Sequence, residues 1–205
     1  MKQSKTLVIG LTGNSGSGKS CVSEILLNAG AKIIDADKIA HAVLAAEGAA
    51  YNEVVNLFGG GILTENGEID RAKIAAIVFS DKQMLKKHTE ITHKHIIKEV
   101  LRLLSEYKKS GAQIVVIDAP LLTEAGLHKN CDYVWLVSAS YETKLKRIIK
   151  RDSLLKEAAE KRLASGSAEA SLKPASDFVI ENNGGFEELE ETVMRELKRI
   201  TENSL

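Results

Sequence analysis

The residues Gly13-Asn14-Ser15-Gly16-Ser17-Gly18-Lys19-Ser20 follow the pattern G-x-x-x-x-G-K-S/T. Glycines in such a loop let successive backbone N–H groups turn inward around phosphate oxygens without Cβ clashes, and a following helix N-terminus adds partial positive charge. Lys19 can then reach the outer phosphates, and the Ser20 hydroxyl is placed to ligate Mg²⁺. The bland alternative is a Gly/Ser-rich turn with an incidental lysine. It is disfavoured because the loop follows the apolar run Thr6–Thr12 and opens a helical stretch from Ser20 to Asn28. The expected ligand is a nucleoside triphosphate, although the loop does not name the reaction.

The rest of the chain narrows the class. A GTPase needs D-x-x-G after its third strand and N-K-x-D for the base. Here the third strand ends Asp118-Ala119-Pro120-Leu121, and N-K-x-D does not occur. Motor and transporter ATPases require far more than 205 residues. A small kinase of the nucleoside or nucleotide type fits. Such enzymes need an acceptor-binding insertion and a basic lid.

The elements that must position these groups alternate between apolar runs and helical periodicity. Strands are expected at Thr6–Thr12, Ala31–Asp35, Gln113–Asp118, Asp132–Val137 and Asp177–Ile180. Helices are expected at Ser20–Asn28, closed near Gly30, and at Ala36–Ala46, Tyr141–Arg151 and Phe186–Thr201. This predicts an α/β fold of the P-loop type, a five-stranded parallel sheet with helices on both faces. Two blocks lie outside the rhythm: a helical insertion over 51–109 and a charged, lid-like block over 152–175. Both are expected to decorate one domain spanning 1–205.

With 28 basic and 28 acidic residues, 44% hydrophobic and 27% charged, the chain reads as globular. It lacks the net charge that non-specific nucleic-acid or membrane-surface binding draws on. No apolar run approaches the about 18 residues of a membrane span, and Ile74–Phe79 looks core-sized. The opening Met1 to Thr6 leads straight into a strand pattern, so no signal peptide is expected. Cys21 and Cys131 cannot build a disulfide framework and read as small core residues, as does Trp135 in the fourth strand. A cytoplasmic chain is expected, and no protein partner is legible.

Over nearly its whole length the sequence resembles the dephospho-CoA kinase family. The resemblance rests on Gly10 to Ser20, on Asp35-Ala36-Asp37 ending the second strand, and on Ile91-Thr92-His93. It rests also on Asp118-Ala119-Pro120-Leu121-Leu122-x-Glu124 and on Asp177-x-Val179-Ile180-x-Asn182-Asn183-Gly184. Three positions depart from the family's usual pattern: Lys144 stands where Q-x-x-R would begin, Lys94 replaces the proline after His93, and Gly166 occupies a usual glutamine near the lid tip.

The resemblance implies transfer of the ATP γ-phosphoryl to the ribose 3′-hydroxyl of dephospho-CoA, with ATP as co-substrate and Mg²⁺ as cofactor. Asp37 is then the favoured candidate base, the alternative being that it merely N-caps the next helix, a role Asp35 fits as readily. Gly13 through Ser20, with Cys21, Arg147, Arg151 and Asn183, form the expected ATP set. Lys19 and Arg147 join Asp37 in catalysis. Arg147 and Arg151 would spread positive charge over the phosphoryl, or else lie on an exposed helix face. Asn183 would border adenine or only turn the loop before Gly184. Arg71, His93, Asp118 and Pro120 join Asp37 as acceptor candidates. Asp118 is also a candidate for Mg²⁺ through water, beside Ser20, or a plain turn initiator. Two other functions stay open at this point. One is a kinase of another small hydroxyl acceptor such as a nucleoside. The other, motivated by Lys144, Gly166 and the Ala/Ser-rich lid, is a weakly catalytic nucleotide-binding regulatory protein.

Overall fold

The computed structural model describes residues 6–164 and 172–203. They form two compact units, the first comprising residues up to Ile34 together with those from Leu104 onward, the second Asp35–Leu103.

The first unit is built on the expected sheet, ordered β2-β3-β1-β4-β5. Its strands are β1 (Leu7–Thr12), β2 (Lys32–Asp35), β3 (Ile114–Asp118), β4 (Tyr133–Ser138) and β5 (Phe178–Glu181). β1 is buried along its whole length, as a central strand flanked on both sides must be. It pairs in parallel with β3 from Leu7↔Ile114 to Leu11↔Asp118, and with β4 from Ile9↔Tyr133 to Thr12↔Leu136. β4 in turn pairs in parallel with β5. The register brings Asp118 beside the last residues of β1, and so to the root of the phosphate loop.

Two aspartates set the starts of β4 and β5. The Asp132 carboxylate accepts from the Val8 amide at 2.9 Å while its own amide donates to the Val8 carbonyl. Asp177 does the same to Val134, with its carboxylate 2.7 Å from the amide. β4 and β5 therefore begin one residue later than their apolar runs suggest, with each aspartate capping the ladder.

One face of the sheet is covered by α1 (Lys19–Asn28) and α8 (Phe186–Glu202). Val22, Ile25 and Leu26 of α1 and Leu189, Val193, Leu197 and Ile200 of α8 lie at helical spacing and join one core with Ile9, Leu11, Val116 and Trp135. Trp135 is fully buried and meets Phe178 edge-on at 5.8 Å. On the other face, a Cβ at Gly10 would come within 2.6 Å of Leu122 and 2.8 Å of Cys131 Sγ. Burial, then the Asp132 charge, push the Cys131 thiol up to about 12. Cys21, in contrast, is exposed. The core position expected for it is corrected by its place on α1, where Val22, Ile25 and Leu26 form the inward stripe.

Beyond β4 run α6 (Tyr141–Asp152) and α7 (Lys156–Ala164). Gly166, the lid-tip departure, lies outside the described residues.

The second unit holds α2 (Ala36–Leu44), α3 (Tyr51–Phe58), α4 (Arg71–Ser80) and most of α5 (Lys82–Lys109). It thus takes in α2 and ends at Leu103, where the sequence suggested a block over 51–109. The only strand-like feature among its described residues is a single antiparallel bridge, Leu63↔Ile69. Its buried apolar side chains larger than alanine are Ile39, Val43, Val54, Ile62, Ile74 and Val100. The run Ile74–Phe79 is not a core segment. Helical geometry turns only Ile74 inward, and Phe79 is 95% exposed. No described helix is long and apolar enough to cross a membrane.

Candidate active site

The phosphate loop spans Gly13 to Gly18, between β1 and α1. Gly16 and Gly18 adopt φ of 80° and 93°, in the left-handed region where a Cβ is strained. Space forbids a side chain there too. A Cβ at Gly16 would meet the Lys144 carbonyl at 2.7 Å, and one at Gly18 the Asn182 amide nitrogen at 2.1 Å. Gly18 also starts α1, whose first-turn amides of Cys21 and Val22 donate back to its carbonyl.

Lys19 leaves the first turn of α1 and pairs through Nζ with the Asp118 carboxylate. Both side chains are mostly buried, at 15% and 9% exposure. Thr12 Oγ1 donates to the Pro120 carbonyl at 3.0 Å, and the Ala119 amide to Leu11 at 3.0 Å, so the Asp118-Ala119-Pro120 corner is locked to the end of β1. Ser20 is exposed one residue further on. Ser17 is buried, and its hydroxyl has no hydrogen-bond partner among the described residues.

Arg147 reaches the loop from α6. Its Nη1 donates to the carbonyls of Ser17 (3.2 Å) and Asn182 (3.0 Å), with Gly16 at 3.5 Å, while Nη2 donates to Asn182 Oδ1 at 3.2 Å. Arg151, one turn on, points Nη2 at Ser15 Oγ at 3.4 Å. Its guanidinium is paired with Asp152 at 2.8 Å and 2.9 Å. Arg162 of α7 joins the same carboxylate at 2.9 Å. The hydrogen bond from Arg151, and then the charges of both arginines, hold the Asp152 carboxyl below its ordinary value. Asp152 was not singled out from the sequence, although its position directly after Arg151 was the available clue.

Asn182 is the other residue sequence reasoning passed over in favour of its neighbour. Asn183 is exposed, and its Oδ1 accepts from the Ser140 amide at 2.7 Å, which ties the loop after β5 to the start of α6. Asn182 is buried, and its Nδ2 donates to the Ser17 carbonyl at 2.9 Å. The motif around Val179-Ile180 pointed at both asparagines. Only their burial separates them.

The second unit carries the acceptor candidates. The two aspartates after β2 divide their roles. Asp35 is the N-cap of α2, accepting from the Lys38 amide at 2.9 Å. Asp37, in the first helical turn, is exposed and does not serve as the cap. Asp70 caps α4 by accepting from the amides of Ala72 and Lys73, which sets Arg71 at the first helical position. Arg71 Nη1 lies 3.0 Å from His41 Nε2. A guanidinium can only donate, so His41 Nε2 is the acceptor in this contact. His93 is half-buried on α5. Its neighbours Lys94 and His95 both meet Glu53, at 3.3 Å and 2.8 Å, and hold that carboxyl below its ordinary value, His95 most strongly.

This arrangement, a glycine loop with a lysine–aspartate pair at its root and a separate helical unit bearing Asp37 and Arg71, is that of a P-loop kinase. The model of the dephospho-CoA kinase family matches residues 7–188. The chain belongs to the dephospho-CoA kinase family. A Carboxydothermus hydrogenoformans dephospho-CoA kinase is 38% identical over 192 residues, 94% of this chain and 93% of the relative. Among solved structures, a dephospho-CoA kinase from Campylobacter jejuni has a TM-score of 0.72 at 29% identity, covering 97% of this chain and 98% of its own. A Thermus thermophilus protein has a TM-score of 0.80 at 30% identity, covering 95% of this chain and 98% of its own. Family membership thus spans both units, and the departures at Lys94 and Lys144 lie inside the matched range.

Proposed function

We infer that the chain transfers the γ-phosphoryl group of ATP to the ribose 3′-hydroxyl of dephospho-CoA, releasing CoA and ADP. The observation that carries this reading is the phosphate loop with Lys19 paired to Asp118, in a chain whose family match runs from β1 into α8. The family selects dephospho-CoA over a nucleoside as acceptor, and Lys19, Ser20, Asp37 and Asp118 are all present for catalysis.

In the proposed mechanism the acceptor 3′-oxygen attacks the γ-phosphorus. The bond from that phosphorus to the β–γ bridging oxygen breaks in line, and ADP leaves with the bond's electron pair. Asp37, relieved of capping by Asp35, accepts the proton of the attacking hydroxyl. Lys19 and Arg151 place positive charge along the phosphates, and Arg147 adds its charge while holding the loop's backbone. Arg71 and His93 are the second unit's acceptor-binding candidates, and Asp118 and Pro120 those of the first. Asn183 borders the nucleotide through the loop that it ties to Ser140.

Mg²⁺ takes hard oxygen donors, and the exposed Ser20 hydroxyl with the Asp118 carboxylate are oxygen donors of that kind, Asp118 acting through water. When bound, the ion neutralises charge on the phosphate oxygens. We place the reaction in the cytoplasm, in keeping with two free thiols.

The direct test uses ATP labelled in its γ-phosphate. The label is expected in CoA, at the 3′-position. Label appearing only as free phosphate would contradict transfer to this acceptor.

A further inference from the structure

We propose that Asn182 is a positioning residue for phosphoryl transfer: it fixes the peptide plane between Ser17 and Gly18 so that the Gly18 N–H faces the phosphates. The proposal rests on the reading of Gly13–Ser20 as the ATP phosphate loop.

Asn182 directly follows β5, and its amide donates to the Ser138 carbonyl at 2.8 Å, continuing the β4–β5 ladder by one residue. Its backbone is thus anchored to the sheet. The side chain is 5% exposed and aimed at the loop. Nδ2 donates to the Ser17 carbonyl at 2.9 Å, and Oδ1 accepts from Arg147 Nη2 at 3.2 Å. Arg147 Nη1 also donates to the Ser17 carbonyl at 3.2 Å, so that one oxygen is held by two donors.

A trans peptide directs its C=O and the following N–H to opposite sides. Holding the Ser17 oxygen toward Asn182 therefore turns the Gly18 N–H the other way, away from the bracing side. Gly18 has φ of 93°, and glycine by itself populates positive and negative φ almost equally. The loop's own sequence leaves this plane free to flip, and the two external donors select one orientation. The fit is close: any Cβ at Gly18 would strike Nδ2 at 2.1 Å. The neighbouring Ser17 amide is already used within the loop, donating to Asn14 at 3.1 Å, so the Gly18 amide is the one this brace governs.

Asn182 touches backbone and Arg147, so its effect is expected on the binding of phosphate groups as such. The experiment compares the full-length enzyme with Asn182→Ala and Asn182→Asp. Asn182→Asp retains an oxygen for Arg147 but replaces the donor to Ser17 with a carboxylate oxygen and adds a negative charge. The KM for ATP, the KM for dephospho-CoA, and competitive inhibition by inorganic tripolyphosphate are measured at a temperature where circular dichroism shows each protein folded. Tripolyphosphate probes the loop without an adenine.

Both variants should raise the ATP KM and the tripolyphosphate Ki together, by about tenfold for the loss of one well-formed buried bond. The KM for dephospho-CoA should stay unchanged. If Asn182→Ala does not fold, Asn182→Ser, which removes the amide donor to Ser17 without adding charge, takes its place and decides the matter. Unchanged ATP and tripolyphosphate binding would overturn the proposal, and so would a rise in the ATP KM without a rise in the tripolyphosphate Ki, which would mark a contact to adenine. If the unsubstituted enzyme neither turned over ATP nor bound it, the phosphate-loop reading itself would fall, and the proposal with it.

Discussion

The Lys19 ammonium and the Asp118 carboxylate are paired at the root of the phosphate loop, both largely shielded from water. The pairing follows from the parallel register of β1 and β3, which sets Leu11 opposite Asp118. The same lysine serves stability and chemistry, and substitution can separate the two. Lys19→Met should abolish most turnover and also lower stability by about 1.5–3 kcal/mol, the range for a hydrogen bond to a charged group. Adding Asp118→Asn should recover much of the stability, because no buried carboxylate is then left without its cation. It should recover none of the turnover. Denaturant unfolding and ADP release on the two variants check this, and a double variant with restored turnover would refute the assignment of Lys19.

Asp35 and Asp37 flank one alanine yet do different work. Asp37→Asn should lower kcat by roughly a hundredfold or more, with the KM for ATP little changed. Asp35→Ala should cost about 1 kcal/mol of stability through the lost cap, with kcat reduced far less than in Asp37→Asn. The reverse pattern would show that Asp35 handles the proton.

Asp152 gathers Arg151 and Arg162, and Arg151 also faces Ser15 in the phosphate loop. Asp152→Ala releases both guanidinium groups from that anchor. The expected result is a KM for ATP raised by about three- to tenfold, with a smaller change in the KM for dephospho-CoA. Equal increases in both constants would argue against a role on the nucleotide side.

His88 lies edge-on to Phe58 at 5.5 Å, and burial holds its imidazole below the ordinary 6.5. A histidine kept neutral in the folded state contributes stability that is fully present above its unfolded value. That stability is lost as pH falls below it, because the unfolded chain takes up the proton first. Urea midpoints should therefore drop between about pH 7.5 and pH 5.5, and His88→Leu should flatten that drop. An unaltered slope in His88→Leu would place the acid sensitivity elsewhere.

The sheet was legible because a parallel sheet covered on both faces demands continuous apolar strands, and runs such as Gln113–Asp118 have few other readings. The glycine loop was legible because its function requires a fixed local spacing. What escaped were choices between neighbours made by distant contacts. Asn182 and Asn183 are adjacent, but one faces Ser17, 165 residues away, and the other Ser140. Asp152 acquires its role only when α7 returns Arg162 to it. The exposure of Phe79 could not be read from an unbroken apolar run, because only helical geometry divides that run into an inward and an outward face.

The most direct test of the account is ADP formation with Mg-ATP across dephospho-CoA, adenosine, AMP, pantetheine and no acceptor, with each product identified by mass. The account predicts ADP with an equal amount of CoA in the dephospho-CoA reaction and only background in the others. Equal or greater turnover with adenosine or AMP, or ATP binding with no turnover on any acceptor, would contradict it.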